Sequence, residues 1–353
     1  MKIGFTVLHG NITDKNKISI GNNEAIGIAN KIKKYCDVDI LTCKKCDGCI
    51  TVDENYDINQ YDALLVVNGS VNMFGGKEIK TATTIYKLLH KFDKKIYYIL
   101  TDTLMPFVDY YKHIEKKSWN NYSPEDFKLK HNINIISQFK DEEKIKKIFK
   151  GVEIGNFIFK PIQLWCLEYQ EKFIPTNIEK KVDLIYGGSY RAGNRREKML
   201  RYFFNKDRIS VEMYGNIDIE QFKITDKDNI HSVPVFTGKV LPNEVLPKNS
   251  EGLATVLLGD KNYNDNTMTP RFIEALMAKV ICFIDNDFDP SHSLLNDEFF
   301  YVNSGEELEN KILEIKNSEE FHNKLINIQN AKLNEILQYD LGKDLYSYIN
   351  ENL

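Results

Sequence analysis

The stretch VDLIYGGSYRAGNRREKML, Val182–Leu200, decides how this chain is read. Val182–Tyr186 is apolar and β-prone and stops at Gly187-Gly188, the pattern of a short buried strand running into a turn. From about Gly193 to Phe204 the pattern becomes helical. Arg191, Arg195 and Arg196 then crowd a helix N-terminus, where the macrodipole is already positive and each added cation costs a few tenths of a kcal/mol. A bound anion would reverse that penalty. Glycines let backbone N–H groups come close to phosphate oxygens, and guanidinium forks bind those oxygens in pairs. Arg191 and Arg195 are four apart, so both can face one ligand. A tight strand-to-helix turn with solvated arginines is the other reading of the same residues.

A second such junction lies about seventy residues on, in Leu257–Ile284. A strand ends at Gly259, an Asn/Asp-rich loop follows, and Pro270 stands where a first helical residue belongs. Up to its terminal lysine, the helix Arg271–Lys279 is apolar except for Arg271 and Glu274, which are three apart and share a face. A glutamate in such a segment is costly to bury alone. It is matched either by adjacent ribose hydroxyls or by a structural pair with Arg271. Two such junctions at strand carboxyl ends suggest one nucleotide held across a crevice.

Strands and helices alternate along the chain, the signature of parallel sheets with crossover helices. In the first half, strands are predicted at Lys2–Leu8, Val38–Leu41, Ala63–Val67, Lys95–Leu100 and Ile133–Ile136. Helices are predicted at Asn23–Lys34, Glu78–Phe92 and Glu142–Phe149. A linker is placed near Tyr169–Ile178, which lacks periodicity and contains Pro175. In the second half, strands are predicted at Val182–Tyr186, Ser210–Met213, Ala254–Leu258 and Val280–Ile284. Helices are predicted at Arg195–Asn205, Asn243–Asn249, Arg271–Ala278 and Glu306–Lys316, and throughout Glu319–Leu353.

The chain has 353 residues, enough for two domains each with its own core. Its 47 basic and 51 acidic residues leave a formal charge of −4, so any nucleic-acid contact must rest on local clusters such as Lys112–Lys117 or Lys144–Lys150. Such runs are also common on solvated helix faces. MKIGFTVLHG reads as a first strand rather than a signal peptide, and no run approaches the ~18 apolar residues of a membrane helix. A cytoplasmic protein is expected. Cys36, Cys43, Cys46 and Cys49 fall close together, which in the cytosol means reduced thiols or metal ligands. Adventitious or absent binding is favoured over a structural zinc, because Cys36 lies across a predicted strand from the other three.

IYGGSYRAGNRREKM at Ile185–Met199, PVFTGKV at Pro234–Val240 and LLGDKNYNDN at Leu257–Asn266 resemble the DNA β-glucosyltransferases of T-even bacteriophages. So do MKIGF, LLVVNGSVNMFGGK at Leu64–Lys77, KIYYILTD at Lys95–Asp102, FIDNDFD at Phe283–Asp289 and FYVN at Phe300–Asn303. The resemblance spans essentially the whole chain in one order. It implies an α/β protein of the GT-B class, two Rossmann-like parallel-sheet domains facing a central cleft, with the C-terminal helix returning to the N-terminal domain. The expected division is an acceptor and DNA domain at 1–170, completed by a helix at about 335–353, and a UDP-sugar domain at 171–334.

The implied activity moves glucose from UDP-glucose to the hydroxyl of 5-hydroxymethylcytosine in duplex DNA, inverting the anomeric centre. The resemblance assigns Asp102 as general base, with Glu24 as a second carboxylate ordering the site. It assigns Gly188, Ser189, Arg191 and Arg195 to the diphosphate. Tyr214, Gly238, Val240, Tyr263, Arg271 and Glu274 are assigned to the rest of the donor. Helix capping is the alternative role of Asp102, and a favourable acid at a helix start that of Glu24. A cytosine must leave the duplex stack to react. The loop Asn68–Lys77 offers Asn72 as an insertable tip, Phe74 for stacking and Gly75 for movement, or else is an ordinary βα turn.

No cofactor is expected to be required, and a divalent cation, Mg or Mn, is implied only as an aid to UDP release. Asp285-Asn286-Asp287 imitates a metal-binding Asp-x-Asp motif, but the arginines already cover the diphosphate charge. A monomer is expected. After Asp102 the chain departs from the family: Leu104 stands where an arginine is expected, and Val108–Tyr122 diverges. Those are acceptor-side positions, so a different sugar, hydroxymethyluracil or a non-DNA acceptor stays open, as does a catalytically silent nucleotide- or DNA-binding module.

Overall fold

A computed structural model of the chain describes residues 1–6, 27–42, 48–67, 88–89, 91–100, 133–137, 143, 154–159, 179–189, 194–217, 222, 230–258 and 269–353. Glu24, Asn72, Phe74, Gly75, Asp102, Arg191 and Tyr263 lie outside the described residues. So do Cys43 and Cys46, the lysine runs at Lys112–Lys117 and Lys144–Lys150, and the linker at Tyr169–Ile178.

The chain divides into two compact units, Met1–Cys166 with Tyr339–Leu353, and Leu167–Gln338. The first is built on strands β1 (Lys2–Thr6), β2 (Asp37–Thr42), β3 (Ile50–Thr51), β4 (Ala63–Val67), β5 (Lys95–Leu100), β6 (Ile133–Ser137) and β7 (Ile154–Phe159). They form one sheet in the order β3-β2-β1-β4-β5-β6-β7, with every pair parallel. Covering both faces of a parallel sheet requires near-continuous apolar strands. ALLVV in β4 and KIYYIL in β5 meet that demand, and Leu64, Leu65, Ile96 and Tyr97 are fully buried. Their bounds match the expectation, whereas β7 was not foreseen.

The second unit carries β8 (Val182–Ser189), β9 (Val211–Asn216), β10 (Val235–Phe236), β11 (Gly252–Leu257), β12 (Ile281–Asp285) and β13 (Tyr301–Val302). Their order is β10-β9-β8-β11-β12-β13, again all parallel. Among the described residues its helices are α1 (Asn194–Phe203), α2 (Val245–Ser250), α3 (Pro270–Met277), α4 (Gly305–Lys316) and α5 (Glu319–Gln338). The chain leaves β8 toward β9 and β10, then returns to the other side of β8 with β11. That reversal is the topological switch at which open α/β sheets bind ligands, at the carboxyl ends of the strands. In the first unit the switch lies between β1 and β4. Glu24, Asn72 and Asp102, which the resemblance assigns to the acceptor side, follow β1, β4 and β5 in sequence.

Glu319–Leu353 is helical as expected, in two pieces: α5 ends at Gln338 and α6 runs Leu341–Glu351. The break comes from Asp340, whose carboxylate accepts from the Lys343 N–H at 3.0 Å and caps the new helix. Helix α6 belongs to the first unit. Leu341, Leu345 and Ile349 are buried there, the Tyr35 hydroxyl donates to Asp340, and the Tyr97 and Tyr348 rings meet edge to face at 5.9 Å. Gly342 lies so near the Lys31 carbonyl that a side-chain carbon would sit 2.2 Å from its oxygen. One expectation is overturned, at β8. The strand does not stop at Tyr186 but continues through Gly187-Gly188 to Ser189, for reasons that belong to the site.

Candidate functional site

At the carboxyl end of the second sheet, β8 and β9 run in register, with Gly187 beside Tyr214, Gly188 beside Gly215 and Ser189 beside Asn216. The glycines are clearances within a strand. A side-chain carbon on Gly187 would stand 2.3 Å from the Tyr214 ring, and one on Gly188 would stand 2.8 Å from the Tyr186 ring. Gly215, at φ +118°, would place its carbon 2.0 Å from the Gly188 carbonyl oxygen. The Gly215 N–H donates to the Gly238 carbonyl at 2.7 Å. Gly238 turns at φ +83° with open space where a side chain would be. Gly188, Tyr214 and Gly238 are thus brought together at the ends of adjacent strands, with half-buried Val240 two residues on.

Helix α3 supplies the opposing groups. Pro270 occupies its first turn, and Phe272, Ile273, Ala275, Leu276 and Met277 are buried, which fixes the helix against the sheet. Arg271 donates through Nη1 to the Tyr186 hydroxyl at 3.2 Å, and its guanidinium carbon lies 5.4 Å from that ring's centroid. Glu274 is only 7% exposed. The Tyr214 hydroxyl donates to Asn249 Oδ1 at 2.8 Å. Burial, and then the Glu274 carboxylate, push the Tyr214 hydroxyl pKa well above its usual value, opposed by Arg271, so the group stays a protonated donor. Tyr186, Tyr214, Asn249, Arg271 and Glu274 line a small cavity of about 20 Å³, room for one water. At the N-cap of α3, the buried Thr269 hydroxyl has no hydrogen-bond partner among the described residues. Leaving such a group unsatisfied costs roughly 1–3 kcal/mol, which a ligand oxygen would recover.

Arg195 and Ser189 lie in α1 and at the end of β8, but their side chains fall outside the described residues. Arg196 is used differently from the anion reading. Its guanidinium lies 5.5 Å from the Phe222 ring centroid, a packing contact. Asp285 is taken as well. Its carboxylate meets the fully buried Lys198 ammonium at 2.5 Å and accepts from the Tyr202 hydroxyl at 2.8 Å, while Asp287 lies 3.2 Å from the same ammonium. That run neutralises a buried lysine. Among the described residues no three His, Cys, Asp or Glu side chains cluster to hold a metal. Cys36 rests 3.9 Å from the Ile32 carbonyl, and burial pushes its thiol pKa up, away from the thiolate a metal would need. Tyr186 and Asn249 were not foreseen. Nothing in their sequence context distinguishes them from core and helix-surface residues.

Two parallel sheets, each with a switch point, and a glycine-lined strand end facing an Arg–Glu helix define an α/β protein of the GT-B glycosyltransferase class. A family model described as bacteriophage T4 beta-glucosyltransferase matches residues 1–165. The chain is 34% identical over 318 residues to a DNA beta-glucosyltransferase of Enterobacteria phage T4, covering 89% of each. It superposes on the T4 phage enzyme in complex with UDP and Mn²⁺ at TM-score 0.78 and 32% identity, covering 95% of both chains. With the same enzyme in complex with its UDP-glucose substrate the TM-score is 0.79 at 31% identity, covering 100% and 99%. A sucrose-phosphate synthase from Thermosynechococcus elongatus shares the fold alone, at 10% identity, TM-score 0.59 and 99% and 98% coverage. The chain belongs to the bacteriophage T4 β-glucosyltransferase family.

Proposed function

We propose that this chain transfers glucose from UDP-glucose to the hydroxyl of 5-hydroxymethylcytosine in duplex DNA, with inversion at the anomeric carbon. The observation carrying the proposal is Arg271 and Glu274 facing the glycine-lined ends of β8 and β9, in a chain 31% identical over its full length to an enzyme solved with UDP-glucose. Val240 and Gly238 hold uracil through backbone groups, Glu274 accepts from the ribose hydroxyls, and Arg271 and Tyr263 complete the donor contacts. Arg191 and Arg195, with the backbone at Gly188 and Ser189, take the diphosphate and neutralise it as it departs.

The hydroxymethyl oxygen attacks C1 of glucose, its proton passes to Asp102, and the bond from C1 to the diphosphate oxygen breaks with its electron pair leaving on UDP. One base suffices, because a single inverting displacement forms no covalent enzyme intermediate. Glu24 orders the acceptor side. The loop carrying Asn72, Phe74 and Gly75 fills the space of the extruded base and stacks on it. A divalent ion, which the T4 enzyme's UDP and Mn²⁺ complex makes relevant, aids product release and carries no chemical step. The working form is a cytoplasmic monomer. Among the described residues no helix is long and apolar enough to cross a membrane.

The acceptor is tested through the loop. Asn72→Ala/Phe74→Ala should raise KM for hydroxymethylated duplex and leave donor affinity unchanged, and unmodified duplex should compete at low salt. Absence of that competition would remove the DNA half of the proposal. Leu104 and the divergent Val108–Tyr122 favour one second reading, the same donor and fold with a different modified base.

A further inference from the structure

At the amino-terminal end of the second sheet, away from the strand ends described above, lies a cavity of about 470 Å³. It sits among the residues that open β8 and β11 and the turn joining α4 to α5. Its charged lining is Lys180, Lys181, Asp183, Lys316, Glu319 and His322. Two of the three ammonium groups are matched, Lys316 with Asp183 at 2.8 Å and Lys181 with Glu251 at 2.6 Å. Among the described residues Lys180 is not matched by a carboxylate. Its Nζ donates to the Ser250 carbonyl at 3.1 Å and the Lys279 carbonyl at 2.8 Å, which leaves the third N–H of the ammonium open. His322 Nε2 is buried with no partner among the described residues.

Burial lowers the Lys180 pKa to about 8, and burial followed by the Lys180 charge lowers that of His322. The two nitrogen groups share a partly desolvated space in which, among the described residues, neither is paired with a carboxylate; Glu319 on the same lining only opposes the lowering at His322. An anion between them would satisfy both and offset the cost of burying the ammonium.

We propose that this cavity binds a small phosphate-type oxyanion, held by the open N–H of Lys180 and by Nε2–H of His322. The two donors come from different elements, the segment before β8 and helix α5. A tetrahedral group offering oxygens in several directions matches that arrangement better than a planar carboxylate. The cavity lies within the usual ~300–1,000 Å³ of small-ligand sites, so a phosphate with a small organic body also fits. Free phosphate and a DNA-backbone phosphodiester share this chemistry.

The test follows the His322 imidazole resonances by NMR, in the full-length protein at low salt, with inorganic phosphate in one arm and short unmodified duplex in the other. The His322 resonances should shift saturably and its pKa should rise on binding. A response to inorganic phosphate assigns a free phosphate, and a response to duplex alone assigns the backbone of the polymer. Lys180→Gln should weaken the response at least about tenfold, Lys180→Arg should keep it, and both should bind UDP as the parent does. No saturable response in the unmutated protein to either probe, or an unchanged response in Lys180→Gln, would overturn the proposal.

Discussion

Gly187→Ala is the substitution whose outcome the site geometry dictates most closely. The backbone there is not in the left-handed region, so alanine is tolerated locally and even gains about 0.4–1 kcal/mol from a less flexible unfolded chain. The obstacle is Tyr214. The added methyl stands 2.3 Å from its Cζ and Oη, and ordinary contact begins at 3.4 Å, so the ring must move by about 1 Å. Tyr214 is 4% exposed and bonded to Asn249 at 2.8 Å, and a shift of that size breaks the bond with both groups still buried. Losing that satisfaction costs roughly 1–3 kcal/mol, and overpacking roughly another 1–3. The net destabilisation should be about 2–5 kcal/mol by chemical denaturation. UDP affinity should fall as well, because Tyr214 shares its cavity with Arg271 and Glu274. Tyr214→Leu removes the obstructing ring, so Gly187→Ala should add almost nothing in that background, a coupling of about 2 kcal/mol or more. A Gly187→Ala protein within about 0.5 kcal/mol of the parent, or full additivity with Tyr214→Leu, would refute the reasoning.

Asp102→Ala should abolish transfer while UDP-glucose binding measured by calorimetry stays near the parent value; near-parental turnover would shift the base to Glu24. Replacing Arg191 or Arg195 with alanine should weaken UDP binding by about ten- to a hundredfold and slow turnover, as loss of a charge-assisted contact implies. Unchanged calorimetric affinity in both would place the diphosphate elsewhere. Burial alone would raise the Asp289 pKa, but hydrogen bonds from the Leu294 N–H, the Tyr301 hydroxyl and Ser293 outweigh it and hold the carboxyl below its usual value. The stability it confers is complete above the unfolded value of about 3.9 and is lost as pH falls through the lower folded value. The stability gap between the parent and Asp289→Asn should therefore narrow below about pH 4, and a gap that ignores pH would exclude the assignment.

What the sequence revealed follows from which interactions are local. Strands β4 and β5 were legible residue by residue because burial on both faces demands uninterrupted apolar runs. Helix α4 was nearly so, since Ser304 caps it by accepting from the Glu307 N–H at 3.1 Å. Strand β7 hid behind Gly155-Asn156, which reads as a turn, and β10 and β13 are two residues each, too short for any period. Gly187-Gly188 misled for a related reason. Glycine marks a turn and a close approach equally well, and only the rings of Tyr214 and Tyr186 decide which. Arg271 and Glu274 were legible as an i, i+3 polar pair in an apolar helix. Tyr186 and Asn249 enter the site from other elements, and that juxtaposition exists only in three dimensions.

Mass spectrometry of duplex DNA containing 5-hydroxymethylcytosine, after incubation with the protein and each of several UDP-sugars, tests the proposed activity at its centre. The account predicts a mass gain of one glucosyl unit per modified cytosine with UDP-glucose, no gain on unmodified duplex, and loss of the product with Asp102→Ala. A duplex left unchanged by UDP-glucose but extended by another UDP-sugar, or no product from any donor with a protein that binds UDP, would contradict it.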